Sequence, residues 1–429
     1  MRVLLVSANR EKLPSPVVPL GPLSVAAALR DEHDVAFLDL CFEPDPHAAL
    51  EASIESFDPE VIGIGLRNLR GGACDAADRL IAEYAGVVGL VREKSRAPIV
   101  LGGAAYSLRP QTLLTRLGGD YGIAGEGERS FRSVIDLLGR GGVPERITRA
   151  PAATAARPTD DLDRLAPPAR ELVDPRYYDL DGTDNVQTKR GCSFSCAYCD
   201  YPDLEGRTVR LRNPEAVADE VLERSTVPGI THVFFVDSVF NVPRVHALAI
   251  CDALVERNSP LPWICYGSPV AFDEELVGGM ARAGCQGVEI GSDAGTTRML
   301  EKLNKPFSLA EIVRGHEILK HHGIQDCHTF VLGAFDETPD EARATLGFVE
   351  DLDPDAAIFI LFTEDREAMT LGSAPHRDSI LRLLADEAPR HKRWIVPELG
   401  IRFGDRIASI VRRRGLKGPS WLYLASRRS

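Results

Sequence analysis

The 429-residue chain has no apolar run approaching the roughly 18–20 residues of a membrane span. That absence argues against an integral helical membrane protein. Excess positive charge is also missing. The net charge is −13, which disfavours general binding to nucleic acid or to an anionic membrane surface. The opening residues, MRVLLVSANR, lack a following small-residue cleavage site and read as a strand rather than a signal peptide. A disulfide framework is missing too: the nine cysteines are odd in number and uneven in spacing, which points to a reducing cytoplasm. No internal repeat is visible, and the length and apolar content predict two or three domains with a large core.

What stands out is Lys189-Arg190-Gly191-Cys192-Ser193-Phe194-Ser195-Cys196-Ala197-Tyr198-Cys199, a C-x3-C-x2-C run with an aromatic residue before its last cysteine. Thiolates are the soft ligands that iron–sulfur clusters require, and so short a loop can gather three of them at one corner of a cubane. No fourth cysteine follows within the next 50 residues. Three ligands leave one iron open to a reactant. The alternatives are a zinc site completed by a distant histidine, or unrelated buried cysteines; zinc sites, however, usually pair C-x2-C with a second ligand pair.

Residues 1–140 alternate between short apolar runs and helical patterns. Strands are expected at 2–7, 35–38, 61–65, 99–101 and 121–123, and helices at 21–30, 46–57, 73–94, 110–117 and 127–138. Such alternation predicts a doubly wound, Rossmann-like parallel sheet with ligands beyond the carboxyl ends of its strands. Small and polar residues fall at those ends: Ser7-Ala8-Asn9, Gly65-Leu66-Arg67-Asn68, Gly102-Gly103-Ala104 and Gly125-Glu126-Gly127-Glu128. Residues 141–183 are rich in proline and small side chains and read as a connector. From 184 to 362 the alternation resumes, with strands expected at 186–188, 233–236, 263–266, 287–290, 328–332 and 357–361. Residues 363–429 depart from it; from Arg402 onward they carry eight Lys/Arg against one acid. The tail is expected to be a short cap over the barrel mouth, with helices at 378–386 and 405–414.

The cysteine run resembles that of the radical S-adenosylmethionine (SAM) superfamily, whose open iron chelates the amino and carboxylate groups of SAM. The six strands with connecting helices match the partial (β/α)6 barrel of those enzymes, and reactive groups in such barrels sit at carboxyl strand ends. The first domain resembles the cobalamin-binding domain found before many radical SAM domains. Pro19-Leu20-Gly21-Pro22, Asp39, Pro59-Glu60-Val61-Ile62-Gly63, Leu101-Gly102-Gly103 and Gly125-Glu126-Gly127-Glu128 carry that likeness. The D-x-H-x-x-G signature, whose histidine binds cobalt from below, is absent.

The resemblance implies a 4Fe–4S cluster on Cys192, Cys196 and Cys199. It implies SAM contacts from Tyr198, Asp237, Asn241, Glu289, Ser292 and Gly333. It implies cobalamin contacts from Ser7, Asn9, Gly21, Leu66, Arg67, Asn68, Gly102, Gly103, Ala104, Gly125, Glu126, Gly127 and Glu128. Asp237 and Asn241 have a second reading, as residues that position the helix after their strand. Residues 302–305 resemble the family's loop after the fourth strand, and Cys265 and Cys327 are candidates to face the cavity.

The activity implied is reductive cleavage of SAM to a 5′-deoxyadenosyl radical and C-methylation of a small molecule, with an external flavodoxin- or ferredoxin-like electron donor. Radical cyclisation, rearrangement or oxidation without methyl transfer is the alternative. A first domain that has lost cobalamin and serves only for docking is another.

Overall fold

The computed structural model describes residues 1–69, 76–149, 162–362 and 376–425. The alanine-rich part of the connector, the start of the helix expected at residue 73 and the first part of the tail lie outside the described residues. Among the described residues no helix is long and apolar enough to cross a membrane. The chain forms two compact units, Met1–Lys12 with Pro16–Arg176 and Asp200–Arg210, and Leu13–Ser15 with Tyr177–Cys199 and Leu211–Ser429.

The first unit contains the parallel strands β1 (Arg2–Ser7), β2 (Asp34–Asp39), β3 (Val61–Gly65), β4 (Ile99–Gly102), β5 (Tyr121–Ala124) and β6 (Ile147–Arg149). They run in the order β2-β1-β3-β4-β5-β6. β1 is a continuous apolar run, so it takes a central place with both faces covered. The chain leaves β1 for β2 on one side and returns to β3 on the other. The carboxyl ends of β1 and β3 therefore flank a topological switch point, where open α/β sheets bind ligands. Val3, Leu5, Ala27, Val61, Val100, Ile123 and Phe131 form the core beneath. Gly63 makes room there, since a Cβ would lie 2.7 Å from the Phe131 ring. A helix at Ala104–Leu108 and the edge strand β6 were not expected; five and three residues are too few for a periodic pattern to register.

In the second unit the strands are β7 (Thr183–Val186), β8 (His232–Phe235), β9 (Trp263–Gly267), β10 (Cys285–Asp293), β11 (Gln325–Leu332), β12 (Ala356–Leu361) and β13 (Trp394–Ile395). They form one sheet in the order β13-β12-β11-β10-β9-β8-β7. All pairings are parallel. One face carries Phe330, Leu332, Phe359 and Leu361 against Ala342, Leu346 and Val349 of the helix Pro339–Leu352. Capping boxes begin that helix at Thr338 and the helix Leu309–His321 at Ser308, satisfying amides that would otherwise be orphaned.

The opposite face carries Phe234, Ile264, Cys327, Ala356 and Ile358, and it receives Trp421 and Leu422 from the tail. The part of the tail that Trp421 and Leu422 belong to is thus not a cap over the carboxyl strand ends. Of the tail's described residues, 394–395 contribute the seventh strand, β13, Glu398 accepts from Leu361 N at the carboxyl end of β12 at 2.9 Å, and residues 417–422 pack at the amino ends of the strands. Gly418 N–H donates to Asp181 O at 2.7 Å, ahead of β7, and Lys417 Nζ donates to Tyr178 O and Gly229 O. Trp421 fills a slot opened by Gly287, where a Cβ would lie 2.5 Å from the indole. A glycine in a strand, legible only as a weak point, is here the seat for a distant aromatic ring.

Trp421→Ala should therefore lower the unfolding free energy of the second unit by about 3–5 kcal/mol. Urea denaturation checks this, and a loss below about 1 kcal/mol would contradict the packing described.

Candidate functional site

The cysteine run leaves β7 through Gln187 and Thr188 and is fixed by one buried carboxylate. Asp237, fully buried just beyond β8, accepts from Thr188 N at 2.7 Å and from Lys189 N at 3.2 Å. It also accepts from Thr188 Oγ1 at 2.5 Å and from Lys189 Nζ at 3.1 Å. Lys189 Nζ makes a second bond to Phe240 O at 2.9 Å, so the buried ammonium is both ion-paired and hydrogen-bonded. Gly191 follows with φ +92°, a backbone state that favours glycine, and Ser238 Oγ donates to its carbonyl. The loop then presents Cys192, buried, and Cys196 and Cys199, partly exposed, none of them in a disulfide.

A second clamp comes from residues 303–305. The helix Thr297–Lys302 ends with Asn304 at φ +53°. Lys305 N donates to Leu300 O and Asn304 N to Glu301 O, both at 2.9 Å. This is a Schellman closure with asparagine in the left-handed place. It aims three groups at the cysteine loop. Leu303 O accepts from Ala197 N at 2.9 Å. Asn304 Nδ2 donates to Ser195 O at 2.7 Å. Lys305 Nζ lies 3.4 Å from Cys196 Sγ.

Lys305 also pairs with Asp293, at the end of β10, and Asp293 accepts from Tyr198 Oη at 2.7 Å. Burial opposes the charge on Lys305, but Asp293 and Cys196 outweigh it and hold its pKa above the usual lysine value. Burial, followed by the Asp293 charge, pushes the Tyr198 phenol well up, so it stays a donor. Loop residues 302–305 were expected from the sequence, but Asp293 was passed over for Glu289 and Ser292. A register shift between Gly291 and Asp293 and a φ of +63° at Asp293 break the two-residue period there. The usable signal was the run Leu-Asn-Lys-Pro, a helix stop.

The other expected SAM-contacting side chains are committed elsewhere. Asp237 serves the loop. Asn241, fully buried, exchanges two bonds with the backbone of Ser268, donating to its carbonyl at 2.7 Å and accepting from its amide at 2.9 Å. Neither bonds the helix Arg244–Glu256 that follows their strand: Asp237 holds the entry to the cysteine loop and Asn241 the backbone of Ser268. Ser292 lies on the helix-facing side and shares a 2.7 Å hydrogen bond with His328. His328 and His316 both bond Asp326, whose pKa they hold well below the carboxylate range although burial opposes them. Glu289 sits on the other face, where Trp421 Nε1 donates to it at 2.7 Å and burial raises its pKa. Cys265 is buried on the helix-facing side, not toward the cavity, and Cys327 is sealed beside Trp421. Gly333, with φ +74°, donates its amide to Glu337. Burial pushes Glu337 up to about 7, and its Oε1 has no hydrogen-bond partner.

In the first unit the strand-end residues divide between backbone supports and open groups. Gly103, with φ +94°, lies on the Leu66 backbone, where a Cβ would come within 2.5 Å of Leu66 O. Leu66 N in turn donates to Gly102 O at 2.8 Å. Gly125 N donates to Ser107 Oγ at 2.9 Å, and Ala104 opens the short helix there. Glu126 is engaged by Arg210, and Glu128 is buried in the first turn of the helix Gly127–Gly139. Gly21 has open space beside it. Arg67 and Asn68 are half-buried, with Asn68 O accepting from Tyr84 Oη at 2.9 Å. Ser7 is buried at the end of β1, and so is Asn9 just beyond it, whose Oδ1 has no hydrogen-bond partner. An orphaned carbonyl at the switch point fits a ligand rich in amide N–H groups, as the corrin periphery is. Three thiols on one clamped loop, none of them in a disulfide, fit a cluster.

Two outcomes follow. Asp237→Asn strands the Lys189 ammonium and should cost about 3–5 kcal/mol in urea denaturation, with iron uptake falling in parallel. Glu337 is raised in the folded state, so that state holds its proton while the unfolded chain has lost it. Stability should then fall as pH rises from the ordinary carboxylate range through about 7. Glu337→Gln should match the parent near pH 5 and exceed it by about 1–3 kcal/mol at pH 8. Equal stability at both pH values would refute this.

Comparison with known proteins gives a family for this geometry. The radical SAM superfamily matches residues 186–349, and the B12 binding domain matches residues 6–135. An uncharacterized methyltransferase of Pyrococcus horikoshii is 26% identical over 379 residues, spanning 85% of this chain and 81% of that protein. Tryptophan 2-C-methyltransferase of Streptomyces laurentii is 25% identical over 428 residues, spanning 82% and 71%. The solved structure of the radical S-adenosylmethionine methyltransferase TsrM from Kitasatospora setae, with cobalamin and a 4Fe–4S cluster bound, is similar with a TM-score of 0.73. It is 25% identical and covers 84% of this chain and 72% of that one. With a B12 binding domain followed by a radical SAM domain, the chain belongs to the cobalamin-dependent radical SAM enzymes.

Proposed function

We propose that this enzyme transfers a methyl group to an unactivated carbon of a small molecule. The observation that carries the reading is the clamped three-cysteine loop in a chain that also has a B12 binding domain. In this reading Cys192, Cys196 and Cys199 hold the cluster, and the strand ends around Asn9, Leu66, Arg67 and Gly103 hold cobalamin. The second sheet is taken as the partial (β/α)6 barrel. When bound, the cluster supplies the electron that splits SAM into methionine and a 5′-deoxyadenosyl radical, and cobalamin supplies a methyl carrier.

The chain's own residues do the positioning. Asp237 and residues 303–305 fix the thiols before any cofactor arrives, so little reorganisation is needed on loading. Arg67, at the end of β3 and with no histidine from a cobalt-binding motif in the sequence, is proposed to keep a lower ligand away from cobalt. Tyr266 and Ile360 leave large apolar surface exposed on the face that also carries Glu289. That surface supports a small, largely apolar substrate. An external flavodoxin- or ferredoxin-like donor in a reducing cytoplasm would supply electrons.

The test is anaerobic loading with iron, sulfide and hydroxocobalamin, then reduction in the presence of SAM. About four irons and one cobalt per chain are expected, with release of S-adenosylhomocysteine and 5′-deoxyadenosine and a product heavier by one methylene. Cys196→Ala should lose most of the iron and all 5′-deoxyadenosine while keeping cobalt. A product of unchanged carbon count, or iron without cobalt, would sink methyl transfer.

A further inference from the structure

Lys305 lies in an unusual place for an ammonium group. Its side chain is only 7% exposed, and Nζ lies 3.4 Å from Cys196 Sγ, 3.5 Å from Tyr198 Oη and 5.2 Å from the Tyr198 ring centroid. The Phe307 ring stands 5.6 Å away on another side. Its counter-ion, Asp293, is 2% exposed and is held by the Tyr198 hydroxyl. Buried charges of this kind are screened little by solvent or salt. The pair is therefore a fixed dipole whose positive end lies against one thiol of the cysteine loop.

A hydrogen bond from a charged donor to a ligand sulfur stabilises negative charge on that sulfur. Reducing a cluster adds one negative charge to the cluster and its thiolates. A nearby cation favours the reduced form more than the oxidised form, and a nearby carboxylate does the reverse. We propose that Lys305 and Asp293 form a built-in setting for the reduction potential of the cluster on Cys192, Cys196 and Cys199: Lys305 raises it and Asp293 holds that rise in check. Both act as positioning residues through Cys196. The Schellman turn at Asn304 is what carries Lys305 to the sulfur.

This inference rests on the cluster assignment made above. Its test is a redox titration of the loaded, SAM-free holoenzyme, followed by electron paramagnetic resonance of the reduced cluster. Lys305→Met should shift the midpoint to more negative potential. Asp293→Asn, which keeps an oxygen for the Tyr198 hydroxyl, should shift it to more positive potential. Lys305→Arg should restore most of the parent value. Opposite shifts of the two variants, at unchanged iron content, would separate electrostatic tuning from general damage to the loop. Unchanged midpoints at full iron content, or shifts of the same sign, would overturn the inference alone. A parent protein that assembles no cluster with all three cysteines intact would overturn the cluster assignment, and the inference with it.

Discussion

Lys189 and Asp237 form an ion pair with almost no access to water, and the cysteine loop depends on it. Taking two charges out of water costs several kcal/mol for each, and their attraction offsets this only when other hydrogen bonds are also satisfied. Here they are: Asp237 accepts four bonds, and Lys189 reaches the Phe240 carbonyl as well. Such a pair adds little net stability over an apolar core. Its effect is to admit one geometry of the chain where β7 hands over to the thiols. The side chain of Asn241 repeats the device one strand over, binding the Ser268 backbone as a strand neighbour would.

With the entry to the loop fixed from one side, residues 303–305 fix it from the other. A backbone carbonyl, a carboxamide and an ammonium each meet a different part of residues 195–197. Loops are usually the softest part of a domain, yet here the softness is removed by groups from one strand end and one helix end. A site that must hold three thiols at set positions benefits from being rigid before it is loaded, because ordering then costs nothing at the moment of binding.

The first unit solves a different problem with the same kind of sheet. At the strand ends proposed to hold its ligand, Gly103 lies closely on the Leu66 backbone and Ser107 accepts from the Gly125 amide. Glu126, one of the acids expected at the ligand, is engaged by Arg210. The carbonyl of Asn9, just beyond β1, is a buried polar atom without a hydrogen-bond partner. That division suits a large ligand with many peripheral amides better than a compact anion, which would call for a positive end.

Much of this was legible before any coordinates. Cysteine spacing singled out the loop proposed to hold the cluster, because three soft ligands within eight residues have few other uses. Apolar runs alternating with helical periods placed five strands of the first sheet and six of the second, closely at Arg2–Ser7 and Val61–Gly65, but the strand expected at 186–188 lies at Thr183–Val186, and the edge strands β6 and β13 were missed. Side-chain destinations were not legible. Asp237, Ser292 and Glu289 all sit near strand ends in the sequence, yet one pins the loop, one faces the helices and one meets Trp421, more than a hundred residues away. Face and partner depend on register, on the shift near Gly291 and on where the tail returns, and none of these is encoded locally. The sequence alone determined which chemistry the chain can hold, since ligand type and strand period are local properties. Only the tertiary structure decided which acids are free to take part, since burial and pairing are settled by residues far apart along the chain.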